Sequence, residues 1–235
     1  MSYSLPKQDK NSADYRLHKI LKILLKKKYH IDFYYSTQYH NDDSYINEYK
    51  GNINFFYTEL DQEKYLENLV KDNKKTIFIT QLWRPSYFDF MTELSCSLKK
   101  NHSKAHLVVD TVDFHYKEFY RKYEISQDPS DLSFANSFFE NEQILYSIGD
   151  AISVVSHDEL NSILSIFPSL DADKFIIIPN IHEADEKIRP FYRRKHMCFV
   201  GNFGTKHNVD AAMHFIEEIF PMILSHDSKI EFHVI

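Results

Sequence analysis

The chain has 235 residues, 43% hydrophobic, 15% aromatic and 26% charged, enough apolar material for a core and no bias toward disorder; the length suits one large domain or one and a half ordinary ones. A formal charge of −6, from 28 basic and 34 acidic residues, provides no basic footprint for nucleic acid. Cys96 and Cys198 stand far apart, which argues against a disulfide framework or zinc site and fits a reducing cytoplasm; no apolar run reaches the roughly 18 residues of a spanning helix, and no signal-peptide core follows Met1.

The first helix is predicted from Asp14 to Lys28, with Leu17, Ile20, Leu21, Leu24 and Leu25 on one stripe and Ser12 or Asp14 as its cap. Its closing run, Lys26-Lys27-Lys28, suits the negative end of the helix dipole and reads as a solvated helix end, with membrane-surface contact as the alternative. Strands follow at Ile31 to Ser36 and Ile53 to Thr58, separated by a polar stretch containing Asn41-Asp42-Asp43-Ser44. A helix from Asp61 to about Asn73 leads to a short buried strand, Thr76 to Thr80, and a helix from Ser86 to Lys99 with Pro85 at its entrance. Ala105 to Asp110 is the next strand, then two helices at Tyr116 to Tyr123 and Phe134 to Ile148, a strand at Ala151 to Ser156, a helix at Asp158 to Ile166 and a strand at Phe175 to Ile178. Strand-length apolar runs alternating with helical patterns predict an α/β chain with a parallel sheet. The polar segment Ile181 to Arg194, bounded by Pro179 and Pro190, is the best boundary.

Past that boundary a hydrophobic strand, Met197 to Val200, ends in the turn Gly201-Asn202-Phe203-Gly204 and enters an amphipathic helix from Asn208; Lys229 to Ile235 completes a βαβ unit. Upstream stand Phe175-Ile176-Ile177-Ile178-Pro179-Asn180, an Asp150 with Ser156-His157-Asp158-Glu159 that also forms a capping box, and Val109-Asp110-Thr111-Val112-Asp113-Phe114-His115 after a central strand. In their order these segments resemble the family 4 (group 1) glycosyltransferases of the GT-B fold. The likeness implies two facing Rossmann-like domains: an acceptor-side domain over 1–182, a linker over 183–194, and the opening unit of a donor-side, nucleotide-sugar domain over 195–235.

The resemblance implies transfer of a sugar from a nucleotide diphosphate to a saccharide or lipid acceptor, with the nucleotide-sugar as substrate, retention of anomeric configuration, and no metal or other cofactor. It places His115 facing the donor sugar as the catalytic candidate, and puts the donor phosphates on Gly201, Asn202, Gly204 and Lys206, at a helix N-terminus whose amides suit anions. Asn202 stands where relatives commonly carry arginine. Asp113, Trp83 and Arg84, at the carboxyl ends of strands where open sheets bind ligands, are acceptor-side candidates. Plainer readings stand beside each: a locally hydrogen-bonded His115, helix caps for Asp110 and Asp113, a tight turn for Gly201 and Gly204, a solvated Lys206, and aromatic packing for Trp83.

Only Ser2 to Leu5 precede the loop that resembles the family's first βα turn, so the first strand, central in such sheets, is expected to be stunted or absent. The C-terminal βαβ unit is expected to lack cover for Phe199, Val200, Phe232 and Val234, which would then rest on the first domain, on another chain or in solvent. These points make a truncated or incomplete enzyme the expectation. Its partners would be the nucleotide-sugar, the acceptor and a complementing chain carrying the remaining donor domain; its place the cytoplasm, with peripheral contact at the inner membrane face as an option. A noncatalytic remnant or binding module is the alternative. A metal-dependent phosphoesterase built on Asp113-x-His115 is a weaker rival, since no Gly-Asn-His cluster or paired histidines follow, and G-x-G-x-x-G is missing for a dinucleotide enzyme.

Overall fold

The computed structural model describes all residues except 39–41, 50, 62–75, 102–103, 184–188 and 205, and the side chains of Lys206 and His207. The helix expected from Asp61 to Asn73 lies almost wholly outside the described residues. The chain divides into two compact units, Met1–Ile181 and His182–Ile235.

In the first unit β1 (Ser2–Ser4) leads into α1 (Ser12–Lys26), β2 (Ile31–Thr37), α2 (Asp42–Asn47) and β3 (Ile53–Tyr57). Then come β4 (Thr76–Ile79), α3 (Pro85–Lys100), β5 (His106–Asp110), α4 (His115–Ser126), α5 (Pro129–Ile148), β6 (Ala151–Val154), α6 (His157–Ile166) and β7 (Phe175–Ile177). All strand pairs are parallel, in the runs β1-β2-β3 and β4-β5-β6-β7. The two runs meet at β1 and β4: the Met1 amino group donates to the Phe78 carbonyl at 2.6 Å and the Thr80 N–H donates to the Met1 carbonyl at 3.1 Å. The order across the unit is therefore β3-β2-β1-β4-β5-β6-β7, a Rossmann-like α/β arrangement that reverses direction between β1 and β4.

The first strand, expected to be stunted or absent, is stunted but present, and central. It is three residues long, registers Ser2 with Tyr35 and Ser4 with Thr37, and so gives the inner edges of both runs a partner. Two apolar clusters flank the sheet. Leu5, Leu17, Leu21, Phe33, Tyr35, Tyr49 and Ile53 form one, and Tyr34, Ile79, Phe88, Met91, Val109, Phe138 and Ile152 belong to the larger other. Phe33, Tyr34 and Tyr35 alternate between the two clusters, the mark of a parallel strand covered on both faces.

Local chemistry moves several boundaries. The cap of α1 is Asn11, whose side-chain oxygen accepts from the Asp14 N–H at 2.8 Å, rather than Ser12 or Asp14. The polar stretch after β2 contains α2, a helix of six residues with Asp42 and Asp43 in its first turn. The helices after β5 are longer than expected and nearly touch: Gln127 closes α4 in the left-handed region at φ 54°, and Asp128 caps α5 through the Ser130 N–H at 2.9 Å.

The second unit is a βαβ element with its own sheet. β8 (Met197–Phe199) pairs in parallel with β9 (Phe232–Val234), Phe199 opposite Val234. Between them α7 (Lys206–His214) passes through a π turn at Phe215–Ile219 into α8 (Phe220–His226). Pro221 supplies the reason for that turn: it has no N–H to give to the preceding turn, and the wider loop absorbs the defect. Phe215 and Phe220 lean on Phe232, with ring centroids 4.5 and 5.8 Å away. Ala212 is the one buried hydrophobic residue among those described in this unit, while Val200 and Ile235 are 73% and 68% exposed. No helix among the described residues is long and apolar enough to cross a membrane.

Candidate functional site

Open parallel sheets take ligands at the carboxyl ends of their strands, beside the point where strand order reverses. That point in the first unit is filled by Gln81, two residues after the end of β4. Gln81 is buried and sits at φ 60°. Its side-chain oxygen accepts from the Ser2 hydroxyl at 2.5 Å and from the Ser4 N–H at 3.1 Å, so an amide side chain continues the ladder where the backbone has turned away. Its amide nitrogen donates to Asp14 Oδ1 at 2.5 Å, which fastens the start of α1 to both inner strands. Burial pushes the Asp14 carboxyl up from its ordinary range, against the hydrogen bonds that Asn11 and Gln81 give it.

One strand further on, Asp110 ends β5. It is fully buried and accepts a bidentate pair from Arg16 at 2.7 and 2.8 Å, the Thr80 hydroxyl at 2.8 Å and the Ser153 hydroxyl at 2.8 Å. Arg16 also donates to the Ile178 carbonyl, at 2.9 Å from Nη2 and 3.2 Å from Nε. This network draws the ends of β4, β5, β6 and β7 onto α1. A buried charge pair with every oxygen partnered fixes geometry more surely than it adds stability. Asp110 is thus committed to Arg16, and the helix-cap role read from the sequence is corrected.

The loop from Asp110 to His115 is bent by Val112, a β-branched residue at φ 61°. The left-handed region costs such a residue about 1–2 kcal/mol. What holds it is a tether to the neighbouring strand and helix: the Thr111 N–H donates to the Ser153 carbonyl at 3.0 Å, and the Thr111 hydroxyl to Glu159 Oε1 at 2.7 Å. Glu159 is capped as expected, its N–H on the Ser156 hydroxyl at 3.0 Å, but its carboxylate reaches the Val155 N–H at 2.6 Å, one residue before the cap. Burial, with the nearby Asp113 and Asp110 charges, raises the Glu159 carboxyl. Asp113 is exposed at the tip of this loop.

His115 opens α4, at 4% exposure. Its ring lies 5.0 Å from the Phe138 ring, and Nδ1 is 3.6 Å from Glu118 Oε2. Its buried Nε2 reaches no hydrogen-bond partner among the described residues, and a buried nitrogen in that condition is an uncommitted donor or acceptor. The start of α4 is capped from afar: Glu142 of α5, fully buried, accepts from the His115 N–H at 2.9 Å and the Tyr116 N–H at 3.2 Å. Burial pushes the Glu142 carboxyl well above its usual range, and the Tyr146 hydroxyl bonded to it is raised as well. The N-cap position of α4 falls on Phe114, which makes no side-chain cap bond, and not on Asp113.

Trp83 and Arg84 follow Gln81 at the same edge. Trp83 is half-buried, and the exposed Arg84 holds its guanidinium 5.9 Å from the Tyr3 ring. In the second unit the structure brings Gly201, Asn202 and Gly204 into one turn, in which the amides of both glycines are already engaged. The Gly201 N–H donates to the Ile235 carbonyl at 3.2 Å and the Gly204 N–H to the Asn202 side chain at 2.9 Å. A Cβ at Gly201 would meet the Phe199 ring at 3.0 Å, so this glycine permits close packing inside its own unit. Lys206 begins α7, and its side chain lies outside the described residues. Among the described residues no group of three histidine, cysteine or acidic side chains is arranged to hold a metal ion.

Gln81, Arg16 and Glu142 were not singled out by sequence. Glu142 carried a usable signal, being an acid on the buried stripe of Ala135, Phe138, Leu145 and Tyr146. Arg16 stands beside the apolar stripe of α1 and finds Asp110 94 residues away; nothing local announces that pairing. No protein-family profile matches the chain, and no curated protein matches it.

Proposed function

We propose that this chain is a glycosyltransferase of the GT-B type, similar to the family 4 enzymes, that passes a sugar from a nucleoside diphosphate to a saccharide or lipid acceptor. In this reading the acceptor hydroxyl bonds to the anomeric carbon as the bond to the diphosphate oxygen breaks, and the acceptor proton leaves with the phosphate or water. The first unit meets the acceptor at its carboxyl edge, where Trp83, Arg84 and Asp113 stand, and His115 is assigned to the transferred sugar, which requires the loop before α4 to open a path to the buried Nε2. The second unit meets the donor at the turn of Gly201, Asn202 and Gly204, with Lys206 beside the phosphates. The observation that supports it best is the reversal of strand order between β1 and β4, with His115 opening the helix after the next strand.

One observation favours a second reading, that of a noncatalytic binding module: the Gly201 and Gly204 amides are spent inside the turn, so a diphosphate would have to displace them. Equilibrium binding of radiolabelled nucleoside diphosphate sugars to the whole chain separates the two. Specific, saturable binding of one sugar nucleotide, with transfer that falls by about 100-fold or more in His115→Ala, is the expected outcome. Absence of binding across the series would favour the module, and unchanged transfer in His115→Ala would remove that residue from the chemistry.

A further inference from the structure

From Leu17 to Ile31 the chain carries Lys19, Lys22, Lys26, Lys27 and Lys28 and no acidic residue, within a protein of formal charge −6. The two inner lysines are occupied: Lys19 lies over the Tyr15 ring at 5.0 Å, and Lys22 is 3.7 Å from Glu48. Lys26, Lys27 and Lys28 are exposed and form no ion pair with a described residue. Beside them Ile23 and Tyr29 are 50% and 62% exposed. Ile23 lies three and four positions before Lys26 and Lys27, on the same helix face.

This end of α1 is firmly closed. The Tyr29 N–H donates to the Leu24 carbonyl at 3.1 Å and the Lys28 N–H to the Leu25 carbonyl at 2.8 Å, with Lys28 at φ 63°. That is the Schellman closure, in which glycine is favoured at the left-handed position. Lys26 and Lys27 already suffice for the helix dipole, so the dipole does not explain a third lysine in a conformation that disfavours any side chain. Parallel strands all begin at the edge where α1 ends, so exposed Lys100 and Lys104 share that edge. Among the described acids of this edge, Asp32 accepts from Asn54 at 2.9 Å and Asp150 from Lys99 at 2.6 Å, while the exposed Asp171 and Asp173 lie before β7, at the far end of the strand order from α1.

We propose that this amino edge of the first unit docks on an anionic lipid surface, with Lys26, Lys27 and Lys28 among the headgroups and Ile23 and Tyr29 in the interfacial layer. Lysines flanked by exposed apolar and tyrosine side chains fit a bilayer interface, whereas nucleic acid draws on arginine forks and stacked aromatics. The candidate site occupies the opposite edge of the sheet, so changes to these lysines leave its residues in place.

Co-sedimentation of the whole chain with vesicles tests the proposal, using phosphatidylcholine alone and phosphatidylcholine mixed with phosphatidylglycerol, at low and physiological salt. Binding to the anionic vesicles only, weakened by salt, is expected. The triple change Lys26→Glu, Lys27→Glu, Lys28→Glu lowers that affinity by about 100-fold or more in a protein that still unfolds cooperatively, at a melting midpoint lowered by the reversed charges at the helix end; Tyr29→Ser lowers it by about 5-fold with an unchanged melting midpoint. Equal binding to neutral vesicles, undiminished binding by the triple variant, or retention on duplex DNA without binding to vesicles would each overturn it.

Discussion

The two units share one local grammar, a parallel strand followed by a helix that returns to the next strand, and differ in what covers the strands. In the first, Ile79, Val109, Ile152 and Val154 lie in a sheet flanked by helices and are buried; in the second, two strands carry one set of helices and leave Val200, Val234 and Ile235 exposed. A parallel strand is stable when both its faces are covered, so the lesson is one of number: the same unit repeated makes a core, and a single copy makes a surface.

The sharpest way to break this comparison is to disturb the buried charge network of the first unit, which has no counterpart among the described residues of the second. Asp110→Ala leaves Arg16 buried without its partner and is expected to cost about 3–5 kcal/mol by urea unfolding, enough to threaten folding. Next in size is a matched pair of aromatic truncations. Phe138→Ala, in the first core, is expected to cost about 3–5 kcal/mol, and Phe232→Ala, a half-buried ring that leans on Phe215 and Phe220, no more than about 1 kcal/mol. Equal costs would show that the second unit has a core of comparable strength.

Glu142 gives a smaller, pH-dependent effect. Its folded pKa is raised by burial, so the folded state holds the proton more tightly than the unfolded chain. That contribution is complete below the unfolded value of about 4.3 and is lost as pH rises toward the folded value. Glu142→Gln removes this slope and leaves the Tyr116 N–H poorly matched, so it should cost about 1 kcal/mol in acid and less at higher pH. Chemical denaturation across pH would contradict this if the difference grew with pH. Smallest is Gln127→Gly, at the exposed left-handed close of α4, which should raise stability by about 0.5–1 kcal/mol; a loss would show that the hydrogen bond from Gln127 Nε2 to the Glu124 carbonyl outweighs the backbone relief.

Much of the alternation was legible because buried strands such as Ile77 to Ile79 and Leu107 to Val109 are dense in branched apolar residues. What escaped the sequence depended on distance. Ser2-Tyr3-Ser4 has no strand pattern of its own and becomes one because Tyr35, Thr37 and Gln81 supply partners from elsewhere in the fold. The six residues of α2 are too few to display a period. At the candidate site the position of His115 after a strand could be read, but not its cap, since Glu142 arrives from the following helix. The glycine turn could be read as a turn; that its amides are filled by Ile235 and Asn202 emerges only from coordinates.

The central claim is that β1 joins the two strand runs into one sheet whose order reverses beside Gln81, because that junction creates the carboxyl edge on which the candidate-site residues of the first unit stand. Native-state hydrogen exchange at the Thr80 amide, which donates to the Met1 carbonyl, reads the junction directly. Protection matching that of Val109 in β5, and well above that of Ile235 in the second unit, is the predicted result. A Thr80 amide exchanging as fast as Ile235 while Val109 stays protected would mean that the two runs are separate sheets, and that the reversal on which the site depends does not exist.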